Sequence, residues 1–336
     1  MTRKKPTIER LSDLRPGHQA DFYAQLAERI RGQTRDGKPY FTCRFRDSRR
    51  TATAMIWQDS EWFEPCLNEW REGQCFKLRA TYGEHDRYGP QLDIEQIRLV
   101  RPDDEEQGFD PWEFLPRSRF DAEAMYQQLL DLIAHELAYE PLRRLVVGVL
   151  EGNKARLLKL PATAKHYHPF AGGWLEHTLA VVRHCGFLAD RYRQHYPELT
   201  PPLNRDLLLA AAALHEIGRV AEWDDDWPPQ PTTDGRLLGH LFLGRDIIRD
   251  AARQIPELDA EWLRLLEHLL VTHLNLPEWG SPRLPAIPEC LILHHADDLD
   301  AKMEMYVRCL TRDVAEGEWT ERDPVLNRSL WKGRRV

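Results

Sequence analysis

Thiols are scarce in this chain. Its six cysteines, Cys43, Cys66, Cys75, Cys185, Cys290 and Cys309, are scattered over 336 residues and form no C-x-x-C pair. That spacing excludes a disulfide scaffold and a structural cysteine-zinc site, and the six read as reduced, mostly buried thiols. Long hydrophobic runs are missing too. None approaches the roughly 20 residues that a membrane-spanning helix requires, so no membrane partner is expected. The basic start, Met1-Thr2-Arg3-Lys4-Lys5, leads into no apolar segment of the kind a secretory signal needs, which makes the cytoplasm the expected location.

What is present is a globular composition, 42% hydrophobic and 30% charged, in a chain too long for one ordinary core, so two domains are expected. The net charge of −8 is unevenly placed. Residues 1–100 carry 18 Lys and Arg against 15 Asp and Glu, and residues 101–336 carry 28 against 39. An acidic second half argues against a broad nucleic-acid surface there, but an acidic pocket is what divalent metals prefer.

From Leu11 to Val100 the chain alternates apolar and polar residues in short runs separated by turns, the habit of a small β-barrel. Strands are expected at 20–27, 40–47, 51–57, 74–82 and 90–99, with a hairpin turn at Asp36-Gly37 and a short helix over 61–70. Five strands with a helix between the third and fourth is the order of an OB-fold, whose open face commonly binds single-stranded nucleic acid. Arg44, Arg46, Arg49 and Arg50 lie on or beside the second and third strands and are candidates for phosphate contact. Phe41, Phe45 and Trp57 stand near them, either as stacking surfaces or as barrel interior. The acidic, aperiodic stretch Arg101–Gly108 opens a linker, placed at 103–117 between a first domain over 1–102 and a second over 118–313. Residues 314–336 form a tail, an arm to nucleic acid or to another subunit of a homo-oligomer.

After Ser118 the spacing is helical throughout, with helices expected over 122–137, 140–151, 154–160, 174–195, 204–216, 239–254, 259–274 and 286–313. Leu207–Leu214 is apolar nearly all round and therefore central, and it delivers His215 and Glu216 at its end. Burying an imidazole beside a carboxylate costs several kcal/mol unless something neutralises the acid, which a metal ion does directly. His177, His240 and His273 each lie on a similarly apolar helix. In the last helix Asp297 follows Leu293 by four and shares its apolar face, whereas Asp298 is turned about 100° away. Imidazoles and carboxylates without thiolates suit Mn²⁺, Fe²⁺, Ni²⁺ or Zn²⁺, with Mg²⁺ also compatible. The irregular, aromatic stretch Trp223–Pro231 is expected to border the site as a loop.

The order His177, His215-Glu216, Asp297 resembles the H…HD…D pattern of the HD-domain metal-dependent phosphohydrolases. The flanks narrow the likeness. His168-Pro169-Phe170-Ala171-Gly172-Gly173-Trp174-Leu175-Glu176-His177-Thr178, Leu237-Leu238-Gly239-His240, Glu278-Trp279-Gly280-Ser281-Pro282 and Asp298-Leu299-Asp300-Ala301-Lys302-Met303 are similar to motifs of the YhaM-type 3′→5′ exoribonucleases, which place an OB-fold before the HD domain. The resemblance covers nearly the whole chain, from about Leu11 to Cys309. It implies a multidomain α+β protein, a five-stranded OB barrel followed by an all-α HD domain, that hydrolyses single-stranded RNA from the 3′ end, with DNA left open as a substrate, using one or two divalent ions, Mn²⁺ foremost. By position, His177, His215, Glu216 and Asp297 match the family's core ligands, and His240 and His273 match the histidines that would hold a second ion. His177 facing the substrate instead stays open.

The sequence also departs from that pattern. Glu216 stands where aspartate is usual, which lengthens the arm by one methylene, about 1.5 Å. Arg219 replaces a lysine and is expected to clamp a phosphate oxygen during catalysis, its planar fork taking the place of a point charge. Leu274-Asn275-Leu276 stands for the usual His-Gly-Lys. Two other readings fit the same residues: a phosphohydrolase of nucleotides or cyclic dinucleotides, and a single-strand-binding accessory protein whose HD site is degenerate.

Overall fold

The computed structural model describes residues 8–34, 36–47, 49–85, 88–110, 114, 116–224, 230–313 and 317–333. By its internal contacts the chain divides into two units, Met1–Pro116 and Arg117–Val336.

In the first unit, alternation produces a closed barrel. Strands β2 (Gln19–Gln33), β3 (Pro39–Arg46), β4 (Thr51–Trp57), β5 (Cys75–His85) and β6 (Gly89–Leu99) pair in the order β2-β3-β4-β6-β5, and β5 pairs back to β2. This is the OB-fold order expected from the sequence, with helix α1 (Phe63–Asn68) between the third and fourth barrel strands. The period of two decides which residues fill the barrel: Phe41, Cys43 and Phe45 from β3 and Ala52, Ala54 and Ile56 from β4 point inward.

Two features escaped the sequence pattern. A three-residue strand β1 (Ile8–Arg10) runs parallel to β2, and β2 itself continues six residues beyond its expected end at Ala27. A bulge between Leu26 and Glu28 shifts the register, so that the charged run Glu28–Arg31 still pairs with β3. Residues 102–107 form a 3-10 turn whose Asp104 is buried against the barrel, bonded to both guanidinium ends of Arg98 and capping the backbone of Arg101.

The second unit is helical. Its helices are α2 (Ala122–Glu136), α3 (Glu140–Gly152), α4 (Lys154–Leu157), α5 (Gly173–His195), α6 (Arg205–Leu214), α7 (Arg219–Glu222), α8 (Thr233–Leu237), α9 (Gly239–Ala252), α10 (Ala260–Thr272) and α11 (Pro288–Arg312). Asp121, Asn204 and Asp259 cap α2, α6 and α10 with their side chains. The core is built around α6, in which every residue from Leu207 to Leu214 is buried, each leucine contributing about 1.5–3 kcal/mol. Helices α5, α10 and α11 pack on it, so three chain segments deliver side chains to its C-terminal end. The short α7 and α8 were not legible as helices, because four or five residues carry no helical period. No helix among the described residues is long and apolar enough to cross a membrane.

Candidate metal centre

His215 and Glu216 lie in the turn just beyond the last residue of α6. The Nδ1 of His215 lies 2.8 Å from the carbonyl oxygen of Ala212 and donates its proton there, which leaves Nε2 as a bare lone pair. That Nε2 lies 3.3 Å from Nε2 of His177 and 3.8 Å from Oδ1 of Asp297, and His177 Nε2 lies 3.1 Å from the same Oδ1. His177, His215 and Asp297 thus form a buried triad of possible ligands from α5, the α6 end and α11. The ring of His177 is turned by Asp300, whose Oδ2 is 2.7 Å from Nδ1, an arrangement in which an outer carboxylate fixes the tautomer of a ligand histidine. Burial opposes a charge on His177, but Asp297 and Asp300 outweigh it and raise its pKa to about 10. His215, whose strongest influence is burial, is lowered to about 4.

Glu216 belongs to a different triad. Its Oε1 lies 3.4 Å from Nε2 of His240 and 3.8 Å from Nε2 of His273. His273 repeats the device of His215: it sits one residue past the end of α10, and its Nδ1 is 2.7 Å from the Leu270 carbonyl oxygen three residues back. His240 reaches Glu216 because Gly218 has no side chain. A Cβ on Gly218 would lie 1.9 Å from the His240 carbonyl oxygen, so any other residue would push α9 away. The Nε2 atoms of both His240 and His273 are buried without a hydrogen-bond partner. Orphaned ring nitrogens aimed at a carboxylate fit a cation, and among the described residues no other group satisfies them. The triads adjoin, the rings of His215 and His273 being 5.2 Å apart. Clusters of this chemistry are those of a divalent-metal site.

The neighbouring doublet residues therefore serve separate sets, His215 the first and Glu216 the second. Burial disfavours an ionised Glu216, yet Arg219 and His240 overcome it and hold its carboxyl well below the usual range. All three nitrogens of the Arg219 guanidinium are occupied by carboxylates. Nε donates to Glu216 Oε2, Nη2 to Oε1 at 3.3 Å, and Nη1 to Glu222 at 2.5 Å. Three of its five N–H groups are thus committed to carboxylates, so the guanidinium holds Glu216 and Glu222 first, and a phosphate contact of the kind expected from the sequence would fall to the two remaining Nη hydrogens.

Sequence reasoning brought out all six metal candidates but missed the residues that steer them. Tyr167 donates to Glu216 Oε1 at 3.3 Å, Trp174 Nε1 donates to the Glu216 backbone oxygen at 3.0 Å, and Asp300 orients both His177 and His168. Asp300 was findable, because it follows Asp297 by three on one helix face. His168, His177 and Asp300 also cluster, but His177 spends Nδ1 on Asp300, so the cluster serves to orient rather than to bind. Of the stretch expected to border the site, residues 225–229 lie outside the described residues.

On the barrel the arginines divide. Arg44, half-exposed, pairs with Glu28 at 2.9 Å, and Arg49 is exposed. Arg46 donates to Gln25, while Arg50 donates to the carbonyl oxygens of Leu11 and Leu14 and covers the ring of Tyr82. Phe41 is 3% exposed and belongs to the core, which corrects its candidacy as a stacking platform. Trp57 has the opposite parity on its strand, is 46% exposed, and packs on Tyr40 at 5.3 Å.

Residues 174–302 match the family model described as "HD domain". Among curated proteins, the chain is 30% identical over 317 residues to the 3′-5′ exoribonuclease YhaM of Bacillus subtilis, covering 94% of this chain and 95% of that one. The chain belongs to the YhaM family of HD-domain proteins. A second member, the 3′-5′ exoribonuclease YhaM of Oceanobacillus iheyensis, is 32% identical over 320 residues, 94% of each chain. The YhaM protein of Bacillus velezensis is 31% identical over 317 residues, 94% of this chain and 95% of its own. The match runs through barrel and helical unit alike, so this YhaM-family chain is related to its relatives along both units rather than through the HD domain alone.

Proposed function

We propose that the protein is a metal-dependent 3′→5′ exonuclease that hydrolyses the phosphodiester bonds of single-stranded RNA, with single-stranded DNA as a secondary substrate. The observation that carries this reading is the pair of adjoining His/carboxylate triads in a chain that aligns with exoribonucleases over nearly its full length. His177, His215 and Asp297 would hold one divalent ion, and Glu216, His240 and His273 a second. Mn²⁺ suits this mixture of imidazole and carboxylate donors. Ions bound there supply the Lewis acidity that activates water and neutralises charge on the phosphate.

The chain's own residues prepare the site for that step. Ala212 and Leu270 fix the tautomers of His215 and His273, Asp300 fixes that of His177, and Arg219 keeps Glu216 ionised in a buried place. Tyr167 stands against Glu216, half-buried, where it lines the approach to the second triad. The exposed Trp57, packed on the half-buried Tyr40, and Arg44 and Arg49 on the barrel would take bases and phosphates of the strand without sequence preference. A cytoplasmic location fits both the substrate and the free thiols.

The test uses RNA and DNA oligonucleotides labelled at the 5′ end, incubated with Mn²⁺ or with EDTA, beside the His215→Ala variant. A metal-dependent ladder shortened from the 3′ end, absent in the variant, is the expected result. Intact RNA with every divalent metal would overturn the reading.

A further inference from the structure

The last helix changes character along one face. Asp297 and Asp300 at the metal centre are followed on that face by Glu304, Arg308 and Arg312, with Arg308 about 17 Å and Arg312 about 22 Å along the axis from Asp297. Around the basic end lie two adjoining grooves of about 380 and 320 Å³, both lined by Arg308 and Arg312. Arg117 and the exposed Met303 and Val307 line the first, and Lys165 and Arg322 line the second. Together the two grooves are lined by six basic side chains and six carboxylates, so the charge open to a ligand depends on which of them are already paired.

Five of these six acids are engaged within the protein, Glu176 by the Ser118 hydroxyl, and the exposed Glu321 is the exception among the described residues. Asp300 serves His168 and His177, Glu304 pairs with Arg308 at 3.3 Å, Asp313 holds Lys332, and Asp323 accepts from the backbone of Val325 and Leu326. Among the described residues, Arg117, Lys165 and Arg312 have no carboxylate partner. Arg308 donates to the carbonyl oxygen of His166, and burial, with Arg312 adding repulsion, lowers its pKa. The strip is connected to the metal centre through one short segment: Lys165 lines the groove, and Tyr167, two residues on, touches Glu216.

We propose that this strip on the helical unit binds the phosphate backbone of the single-stranded RNA immediately upstream of the 3′ end being hydrolysed. Guanidinium and ammonium groups at intervals match phosphates along a strand, and the apolar faces of Met303 and Val307 between them match bases without selecting sequence. The residues at 321–325 form one wall of the second groove, which gives the C-terminal tail a part in holding the strand. The strip rests on the reading of the site as an RNA exonuclease.

The experiment measures equilibrium binding of a fluorescent 20-nucleotide RNA to the full chain in EDTA, over a series of salt concentrations, for wild type and Lys165→Gln/Arg312→Gln. Neither side chain forms an ion pair among the described residues, and unchanged melting temperature and metal content verify the fold. The double variant is expected to bind about tenfold more weakly, with the slope of log K against log salt shallower by about 1.4, two phosphate contacts at about 0.7 each. A matched control, Arg191→Gln/Arg193→Gln, removes two exposed charges that line neither groove and form no ion pair among the described residues. Equal affinity and slope for wild type and the groove variant would overturn the strip, and so would an equal loss in the control. Because binding is read without turnover, these outcomes stand apart from the ladder assay, whose failure would overturn the nuclease reading instead.

Discussion

Glu216 and Arg219 form a buried ion pair within a single turn: Nε donates to Oε2 and Nη2 to Oε1, while Oε1 also faces the unpartnered Nε2 of His240 at 3.4 Å. Among the described residues Oε2 is thus held by Arg219 alone, whereas Oε1, which Arg219 and Tyr167 reach at 3.3 Å, is the oxygen that faces the candidate ligands His240 and His273. Glu216→Gln keeps the shape and removes the charge. It is expected to lower bound metal from two equivalents to one and to slow RNA hydrolysis at least about 100-fold. Arg219→Ala leaves the acid buried without its main counter-charge and is expected to cost about 3–5 kcal/mol in denaturant unfolding. An Arg219→Ala protein as stable as wild type would show that the pair does not hold the site together.

The division into two triads makes a stoichiometric claim. His240→Gln should remove only the ion at Glu216, and Asp297→Asn only the ion at His177 and His215. Elemental analysis of each variant is expected to show one equivalent, and of the double variant none. Loss of both ions in either single variant would mean that the triads act as one site.

Among the described residues Asp300 touches one candidate ligand, His177, and sits outside both triads. Asp300→Asn is therefore expected to weaken metal binding about 10–100-fold while leaving maximal activity recoverable at high metal concentration. Calorimetric titration of the metal-stripped protein decides the point; an unchanged affinity would remove Asp300 from the site's support.

Adjacent strands of the barrel give two aromatics opposite fates. Phe41→Ala empties the core and is expected to cost about 3–5 kcal/mol of stability. Trp57→Ala should leave the melting temperature nearly unchanged and weaken RNA binding by about 1–3 kcal/mol, one stacked base. Thermal melts and binding curves on the same two proteins separate the roles, and reversed outcomes would contradict the register Phe41–Ile56, Tyr40–Trp57.

Asp104 gives the barrel unit a sensitivity to acid. Hydrogen bonds from Arg98 outweigh the effect of burial and hold its carboxyl far below the usual carboxylate range. A folded pKa below the unfolded one means that its stabilisation is complete above about pH 4 and is lost as pH falls toward the folded value. With Arg98 a third exposed, the contribution is screened to about 2 kcal/mol. Asp104→Asn should lose that amount at pH 7 and show a flatter decline between about pH 4 and 2. An identical acid limb in both proteins would dismiss the linkage.

Much of this protein was legible in sequence because two periods govern it. Alternation over residues 40–57 yields the barrel strands, and helical spacing around Leu207–Leu214 marks the buried helix that must end at a charged doublet. The motif order of six histidines and acids needs no coordinates, since metal chemistry restricts donor types so narrowly. What the sequence leaves open is pairing at a distance. Whether Phe41 or Trp57 faces solvent depends on strand parity relative to a barrel that closes only through β5 on β2. Whether Arg219 holds substrate or Glu216 depends on a turn geometry that spacing does not encode, and Asp300 acquires its role only when α11 is laid against α5. The set of candidate donors was thus legible in the chain itself. Its separation into two triads was decided by tertiary structure, because the end of α6 points His215 and Glu216 toward different helices.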